Sequence, residues 1–421
     1  MESKVEMASK TKPRVRTAAP AVAPIASSGV PFKDVKKVGT NVLQFTLTPT
    51  NVSYANTLRR AILTMVETVA FNADIEEGSG NTTNVHFTKN NTPMSNEMLA
   101  HRIGLLPVHV TNPLEWKPDD YTFKLSVKNE SFELRDITAD DIKVFKNMGP
   151  NEEPKEVPSS TFFHPHPITG STALLTVLKG RVGASDPDEI ACTMRATVGN
   201  GKQNARFIPT SQCSYRYTPD PDPARIKEVF NAWLISLKKV TPASLESNAQ
   251  RKEELEREFA TMEAARCYLE ESGEPYSFDF TLESVGVLPP TYSVARALEL
   301  LQARCLKYAS MNVGDLPEGL KIVPADAAMQ GFDFLFTGED HTLGNLLSTY
   351  IEQNLMQEDS LVSFIGYKVP HPLRDEMLLR VGVEKDGQQI SARAVVSQAA
   401  KGCADLFGAW RAAWETYNVV T

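Results

Sequence analysis

Apolar and polar positions along the chain repeat one arrangement twice. Leu43 to Ile62 read LQFTLTPTNVSYANTLRRAI and Phe332 to Ile351 read FDFLFTGEDHTLGNLLSTYI, aligned without a gap at an offset of 289 positions (Leu43 to Phe332). Each copy opens with alternating apolar residues, Leu43, Phe45 and Leu47 against Phe332, Phe334 and Phe336, the period of a half-buried strand. Each then continues with apolar residues at helical spacing, Leu58 and Ile62 against Leu347 and Ile351. Thr48 pairs with Thr337 and Asn56 with Asn345; Ser53 and Thr342 pair where helix N-caps are expected. A strand-turn-helix unit of this size cannot bury its apolar face alone. Two copies therefore imply two related lobes packed about an approximate two-fold axis. A chance match of two amphipathic helices is the competing reading, disfavoured because strand, cap and helix positions all agree.

The pattern between and beyond the copies sets the organisation. Residues 1–30, rich in Ala, Pro, Ser and Lys, read as a disordered tail, with Lys10, Lys12, Arg14 and Arg16 as a solvated basic cluster. The first lobe comprises 31–75 and 206–311. The stretch 76–205 carries short alternating runs such as Thr122–Val127 and reads as an inserted β-rich subdomain. Within it, Met94–Gly104 predicts a short helix capped at Ser95, Leu105–Val110 an extended segment, and 149–170 a proline-rich loop. From Pro223 two helices are expected, one facing Ile226, Phe230, Trp233, Leu234 and Leu237 inward, the other Leu255, Phe259, Met262 and Leu269. A strand at Tyr276–Leu282 and a helix at Val294–Lys307 follow. The segment 312–320 reads as a linker, with two Gly and a Pro in NVGDLPEG. The second lobe, 321–421, is expected as strand, helix, strand at Leu361–Val369, strand at Glu376–Glu384 and a long helix at Ser391–Tyr417. The fold class is α+β: two related lobes packed by helices, a β-rich subdomain inserted in the first.

Composition narrows the function classes. The 421 residues, 42% hydrophobic and 23% charged, fit an ordinary globular protein with room for two to four domains. No run of about 18 apolar residues is present, so no membrane span or membrane partner is expected, nor does the N-terminus show a secretory signal. Cys192, Cys213, Cys267, Cys305 and Cys403 include no CxxC pair, pointing to a reducing, intracellular compartment and away from a cysteine-built zinc site. Sequons at Asn51, Asn81 and Asn129 then carry no weight. With 52 acidic against 44 basic residues the net charge is −8, which disfavours gripping nucleic acid unaided.

Candidate chemistry is sparse. Gly199-Asn-Gly-Lys202 lacks the preceding Gly and following Ser/Thr of a phosphate loop: Ala196 and Gln203 stand there. Asp220 and Asp222, with Asp186 and Asp188, are placed for Mg²⁺ only weakly and read better as solvated turns. His164-Pro-His166 offers half a metal site without a second pair of ligands. No HExxH or GxSxG occurs. No cofactor, metal or catalytic group is expected. Asn56, Arg59 and Arg60 lie on the side of the first helix away from Leu58 and Ile62, and Glu97, His101 and Arg102 are similar; spacing alone makes these wet helix faces.

Six stretches change that weighting. Tyr54–Ile62 (YANTLRRAI) closely resembles the signature helix of alpha-like subunits of multisubunit RNA polymerases. Met94–Val108, Gly199–Thr210 and Phe280–Pro290 resemble the larger alpha-like subunit of archaea and eukaryotes, in order. Asp340–Leu347 and Phe364–Pro372 resemble the smaller one. The resemblance covers roughly residues 31–421 and implies a fused heterodimer of two assembly subunits, non-catalytic by itself, with a shared four-helix core. It implies a seam at Leu58, Ile62, Leu347 and Ile351. It implies docking of the second-largest subunit at Asn56, Arg59 and Arg60, and of that subunit or a small zinc-bearing one at Arg102 and Leu105. The implied partners are two large catalytic polymerase subunits and small zinc-bearing subunits, with nucleic acid touched only indirectly. Many larger alpha-like subunits carry a cysteine cluster for zinc or iron–sulfur in the inserted subdomain; this chain has none there. Fused forms are similar to those of large DNA viruses of eukaryotes, which implies host cytoplasm and virion, with the nucleus as another location. A scaffold of the same fold outside any polymerase, and a metalloenzyme built on His164, His166 and Asp220, are the other readings.

Overall fold

The computed structural model describes residues 30–418 apart from 75–81, 83, 150–151, 182, 184–185, 246–247, 263–266, 327–328 and 358. The expected tail up to residue 29, its basic cluster and the Asn81 sequon lie outside the described residues.

The first lobe opens with β1 (Phe32–Val38), β2 (Val42–Leu47) and α1 (Val52–Thr64). The chain then leaves through β3 (Glu67–Phe71), β4 (Val85–Asn90), α2 (Asn96–Gly104), β5 (Tyr121–Lys128), β6 (Arg135–Thr138), β7 (Ile142–Lys146), β8 (Lys155–Val157), β9 (Leu174–Leu178), β10 (Glu189–Met194) and β11 (Ala196–Asn200). It returns as β12 (Thr210–Tyr217) and makes a second excursion: α3 (Pro223–Trp233) widening into a π turn at Leu234–Lys238, α4 (Pro242–Leu245), α5 (Ala249–Ala260), β13 (Glu270–Glu271) and β14 (Glu274–Pro275). The lobe closes with β15 (Phe278–Ser284) and α6 (Pro290–Ala309). The second lobe is β16 (Leu320–Pro324), β17 (Gly331–Thr337), α7 (His341–Asn354), β18 (Phe364–Lys368), β19 (Glu376–Gly382) and α8 (Gln389–Asn418).

Both lobes carry a four-stranded antiparallel sheet of the same topology. The orders are β1-β2-β15-β12 and β16-β17-β19-β18, so each strand has a counterpart, as do α1 and α7, and α6 and α8. The two excursions of the first lobe sit where the second has only short connections. Alternation decides which side of each sheet is buried: Leu43, Phe45 and Leu47 face inward, as do Phe334 and Phe336, while Gln44 is exposed. These residues belong to a single apolar cluster that also takes in α1, α6, α7 and α8. Trp414 of α8 packs edge-on against Phe32 at 4.8 Å and Phe45 at 5.4 Å, so the last helix of the second lobe helps close the core of the first.

A second cluster spans Val69 to Ala196, with the Phe123 ring against those of Phe71, Phe162 and Phe163. The transfer between cores is abrupt, since Val66 belongs to the first and Val69 to the second. A third, small cluster of Trp233, Leu234, Leu245, Leu255 and Phe259 holds α3–α5 together.

Several local expectations are corrected. Ile226 and Leu237 are 40% and 70% exposed rather than inward, because the small third cluster covers only the middle of their face. The helix expected to include Leu269 ends at Ala260, and the Leu269 N–H bonds to Thr218 O instead. The proline-rich 149–170 contains β8 and a 3₁₀ turn at Ser159–Thr161. Leu320, taken as linker, starts a strand, β16, that pairs with β17. The helix N-caps lie two positions earlier than expected. Asn51 Oδ1 accepts from Ser53 N at 2.8 Å and Asp340 Oδ1 from Thr342 N at 2.9 Å, which leaves the Ser53 and Thr342 hydroxyls free for other bonds.

Candidate assembly interface

The interface is built from α1, α6, α7 and α8, two helices from each lobe. Leu58, Ile62, Leu347 and Ile351 are all 0% exposed and lie in the shared cluster. Small residues set how near the helices come. A Cβ on Gly402 of α8 would stand 2.0 Å from the Tyr350 hydroxyl of α7, and one on Gly408 would stand 2.5 Å from Gln302 Nε2 of α6. Polar bonds ring the apolar centre: Tyr54 Oη donates to Gln353 Oε1 at 3.3 Å, and Trp414 Nε1 donates to Thr291 O at 3.1 Å. Arg393 of α8 holds the linker, donating to Met311 O at 2.8 Å and Gly314 O at 2.7 Å.

At one end of the seam the contact becomes ionic. Arg304 of α6 donates to both Glu339 and Asp340, and Tyr308 Oη donates to Glu339 Oε1 at 2.9 Å. Glu339 is 7% exposed, a burial a carboxylate tolerates only when paired. Burial pushes the Tyr308 hydroxyl well above its ordinary range, and the Glu339 charge adds to that. Burial also raises the Asp340 carboxyl, but Arg304, the Thr342 N–H and hydroxyl and Arg60 outweigh it and hold the group below the usual carboxylate value.

The residues expected to dock a large subunit part company. Arg60 turns into the seam: Nε donates to Thr342 Oγ1 at 2.7 Å, and the guanidinium pairs with Asp340 at 3.2 Å. It is not on the outer side with Arg59, because at this point α7 presents a capping carboxylate within its reach. Arg59 and Asn56 do face outward, joined by Arg59 Nε donating to Asn56 Oδ1 at 3.0 Å. They line an open hollow of 460 Å³ with Cys213–Tyr217 of β12 and Tyr268. Arg59 makes no ion pair among the described residues. Arg102 and Leu105 lie on the inserted subdomain. Arg102 donates to Leu174 O at 2.8 Å, while Leu105, 57% exposed, rims a 240 Å³ cleft with Leu106–Val108, Arg206, Ile208, Val285 and Val287.

The remaining candidates take structural places. Lys202 of the Gly-Asn-Gly-Lys stretch reaches the other lobe, donating from Nζ to Gly338 O at 2.9 Å and pairing with Asp375 at 3.1 Å. Gly201 beside it lies on the end of α1, where a Cβ would stand 2.1 Å from Leu63 O. Asp220 accepts from Asp222 N, and Asp222 caps α3. His164 stacks on His109 at 3.8 Å, and His166 Nδ1 accepts the backbone N–H groups of a turn. Burial, and to a smaller degree His164, lowers the His109 value against its bond to Phe162 O. Among the described residues no three metal-ligating side chains converge, and no helix is long and apolar enough to cross a membrane.

Two family models match. Both are described as the RNA polymerase Rpb3/Rpb11 dimerisation domain, one over residues 44–305 and one over 332–412. The first covers more than half of the chain. The chain belongs to the Rpb3/Rpb11 dimerisation family. The first domain runs from β2 into α6 across both excursions, and the second from β17 into α8. The chain is similar to the human DNA-directed RNA polymerases I and III subunit RPAC1, 24% identical over 65% of this chain and 82% of that protein. It is similar to the RNA polymerase II subunit RPB3 of Schizosaccharomyces pombe, 25% identical over 64% and 83%. The Dictyostelium discoideum subunit rpc19 is 36% identical over 85 residues, 20% of this chain and 64% of that protein. The chain thus joins two Rpb3/Rpb11-type domains in one polypeptide and resembles subunits of multisubunit RNA polymerases.

Sequence reasoning missed Arg304, Glu339 and Lys202 as interface residues. No local signal singles out Glu339, which sits in a uniformly polar strand-to-helix junction, Thr337-Gly-Glu-Asp-His-Thr342.

Proposed function

We propose that this chain is a non-catalytic assembly platform of a DNA-directed RNA polymerase, a fused alpha-like pair that docks two large catalytic subunits and small zinc-bearing ones. One observation carries the reading: helices from both lobes share a single apolar core, so the joined lobes present surfaces that neither presents alone. Leu58, Ile62, Leu347 and Ile351 form the seam; Asn56 and Arg59, and separately Arg102 and Leu105, form the outward docking faces. Fusion makes pairing intramolecular, at an effective concentration on the order of millimolar, and fixes the stoichiometry of the two halves. Nucleotidyl transfer then belongs to the large subunits, and nucleic acid is met through them. A polymerase encoded by a large DNA virus, working in host cytoplasm and carried in the virion, fits the fused arrangement.

The test is purification of the tagged full chain from its native source under mild salt. Co-elution with two large polymerase subunits and DNA-templated RNA synthesis by the complex is the expected result. Elution alone, or only with proteins of other kinds, removes the polymerase from the reading and leaves a scaffold of this fold.

A further inference from the structure

We infer that the hollow beside Arg59 holds an extended, acid-bearing segment of a protein partner, and that only the first lobe has such a site. The inference rests on the platform reading and names the chemistry of one of its docking faces.

The argument comes from comparing the two lobes at matched positions. Phe45 and Phe334 correspond at the 289-residue offset. Phe45 pairs with Phe280 and Phe280 with Tyr215, while Phe334 pairs with Leu379 and Leu379 with Tyr367. Tyr215 and Tyr367 are therefore counterparts on the outer strands β12 and β18. In the second lobe the Tyr367 ring lies against α7 at Gly344, where an added Cβ would stand 2.4 Å from the ring. The counterpart of Gly344 is Ala55, fully buried, and its methyl occupies the space that ring would need. Tyr215 instead leans over the sheet, 5.4 Å from Phe278 and 5.3 Å from Phe280. The Tyr367 ring thus fills the site in the second lobe, and the Ala55 methyl keeps its counterpart open in the first.

The open site is chemically selective. Its α1 wall carries Arg59 where the second lobe has Ser348. Arg59 meets no carboxylate of its own chain among the described residues, while Arg216 turns to the other face of β12 and pairs there with Asp279 at 3.3 Å. Tyr217 and Tyr268, 5.3 Å apart, complete the wall. A guanidinium without a carboxylate partner, beside phenolic groups, suits carboxylate oxygens. The far side of β12 is the unpaired end of its sheet, so main-chain groups are available to a segment lying along it.

The test uses the full chain within the complex isolated from cells. A photo-crosslinking phenylalanine analogue replaces Tyr217 in one preparation and Phe364, on the equivalent strand β18, in another. The expected result is a Tyr217 cross-link to an Asp- or Glu-containing segment of a large subunit, reduced at least tenfold by Arg59→Ala, retained by Arg59→Lys and absent from Phe364. An unchanged thermal midpoint for Arg59→Ala separates lost contact from lost fold. Cross-linking insensitive to Arg59→Ala, equal at Phe364, or directed to a segment without acids overturns the inference. Large subunits that co-purify without any Tyr217 cross-link also overturn it, while sparing the platform. An Arg59-dependent cross-link to an acidic segment of a protein unrelated to polymerases keeps the site and overturns the platform.

Discussion

Arg60 Nε donates to the Thr342 hydroxyl at 2.7 Å, joining α1 to the first turn of α7. At the repeat offset Arg60 corresponds to Thr349 and Thr342 to Ser53, and Thr349 donates to Ser53 Oγ at 3.0 Å. The same pair of positions is bonded twice with the lobes exchanged, as a two-fold interface requires. The copies differ in charge: Arg60 reaches on to Asp340, whereas Asn51 holds the matching cap position.

This geometry separates the two arginines by experiment. Arg60→Ala removes bonds across the seam and is expected to lower stability by about 1 kcal/mol, as its partly exposed pairing limits the gain. Arg59→Ala breaks no ion pair of the described chain and should stay within about 0.5 kcal/mol. Urea midpoints of the two variants check this. Reversing both charges together sets a carboxylate in place of the Arg60 guanidinium beside Asp340 and so disturbs the seam as well as the outer face; Arg59 alone is the variant that tests the proposed docking face.

The apolar centre should be far less forgiving. Leu347→Ala leaves a void in a core with 0% exposure and is expected to cost about 2–5 kcal/mol. If the lobes share one core, the loss appears as a single unfolding transition moved to lower denaturant. Two transitions, one unmoved, would show the lobes to be independent.

Much of this was legible because periodicity reports burial. Leu58, Ile62, Leu347 and Ile351 repeat at helical spacing, and the structure places all four in the interior. The strand alternation at Leu43 and Phe332 located both sheets. What escaped was set by long-range pairing. Whether Ser53 or Asn51 caps α1 depends on Thr349, 296 residues away, which takes the Ser53 hydroxyl as its acceptor. Arg60 and Arg59 are adjacent and identical in sequence, and only the position of Asp340 decides which one turns inward. Lys202 lay in a stretch suggestive of phosphate binding, and nothing local marks Asp375 as its partner.

Cysteine reactivity offers a check on the core. All five thiols are free, and only Cys267 is partly exposed. Burial pushes the Cys192, Cys213 and Cys305 thiols up to about 12, and Cys403 well above its ordinary range. Native protein should therefore react with Ellman's reagent at one thiol and denatured protein at five. Fast labelling of Cys305 or Cys403 in the native chain would mean that α6 and α8 are not packed as described.

The ionic end of the seam predicts an acid limit. Burial opposes ionisation of Asp340, but Arg304, the Thr342 groups and Arg60 prevail and hold its folded value below the unfolded one, about 3.9. A depressed carboxylate stabilises the fold at pH above its unfolded value, and that contribution disappears as pH falls through it toward the folded value. Asp340→Asn should cost about 1 kcal/mol at pH 7, a figure reduced for partial solvent screening. It should also reduce the loss of stability between pH 5 and pH 3, so the two melting curves converge in acid. Thermal midpoints of both proteins across that range measure it. A gap close to zero at every pH would assign Asp340 a purely neutral capping role, because its N-cap bond to Thr342 survives in the amide while its charge does not.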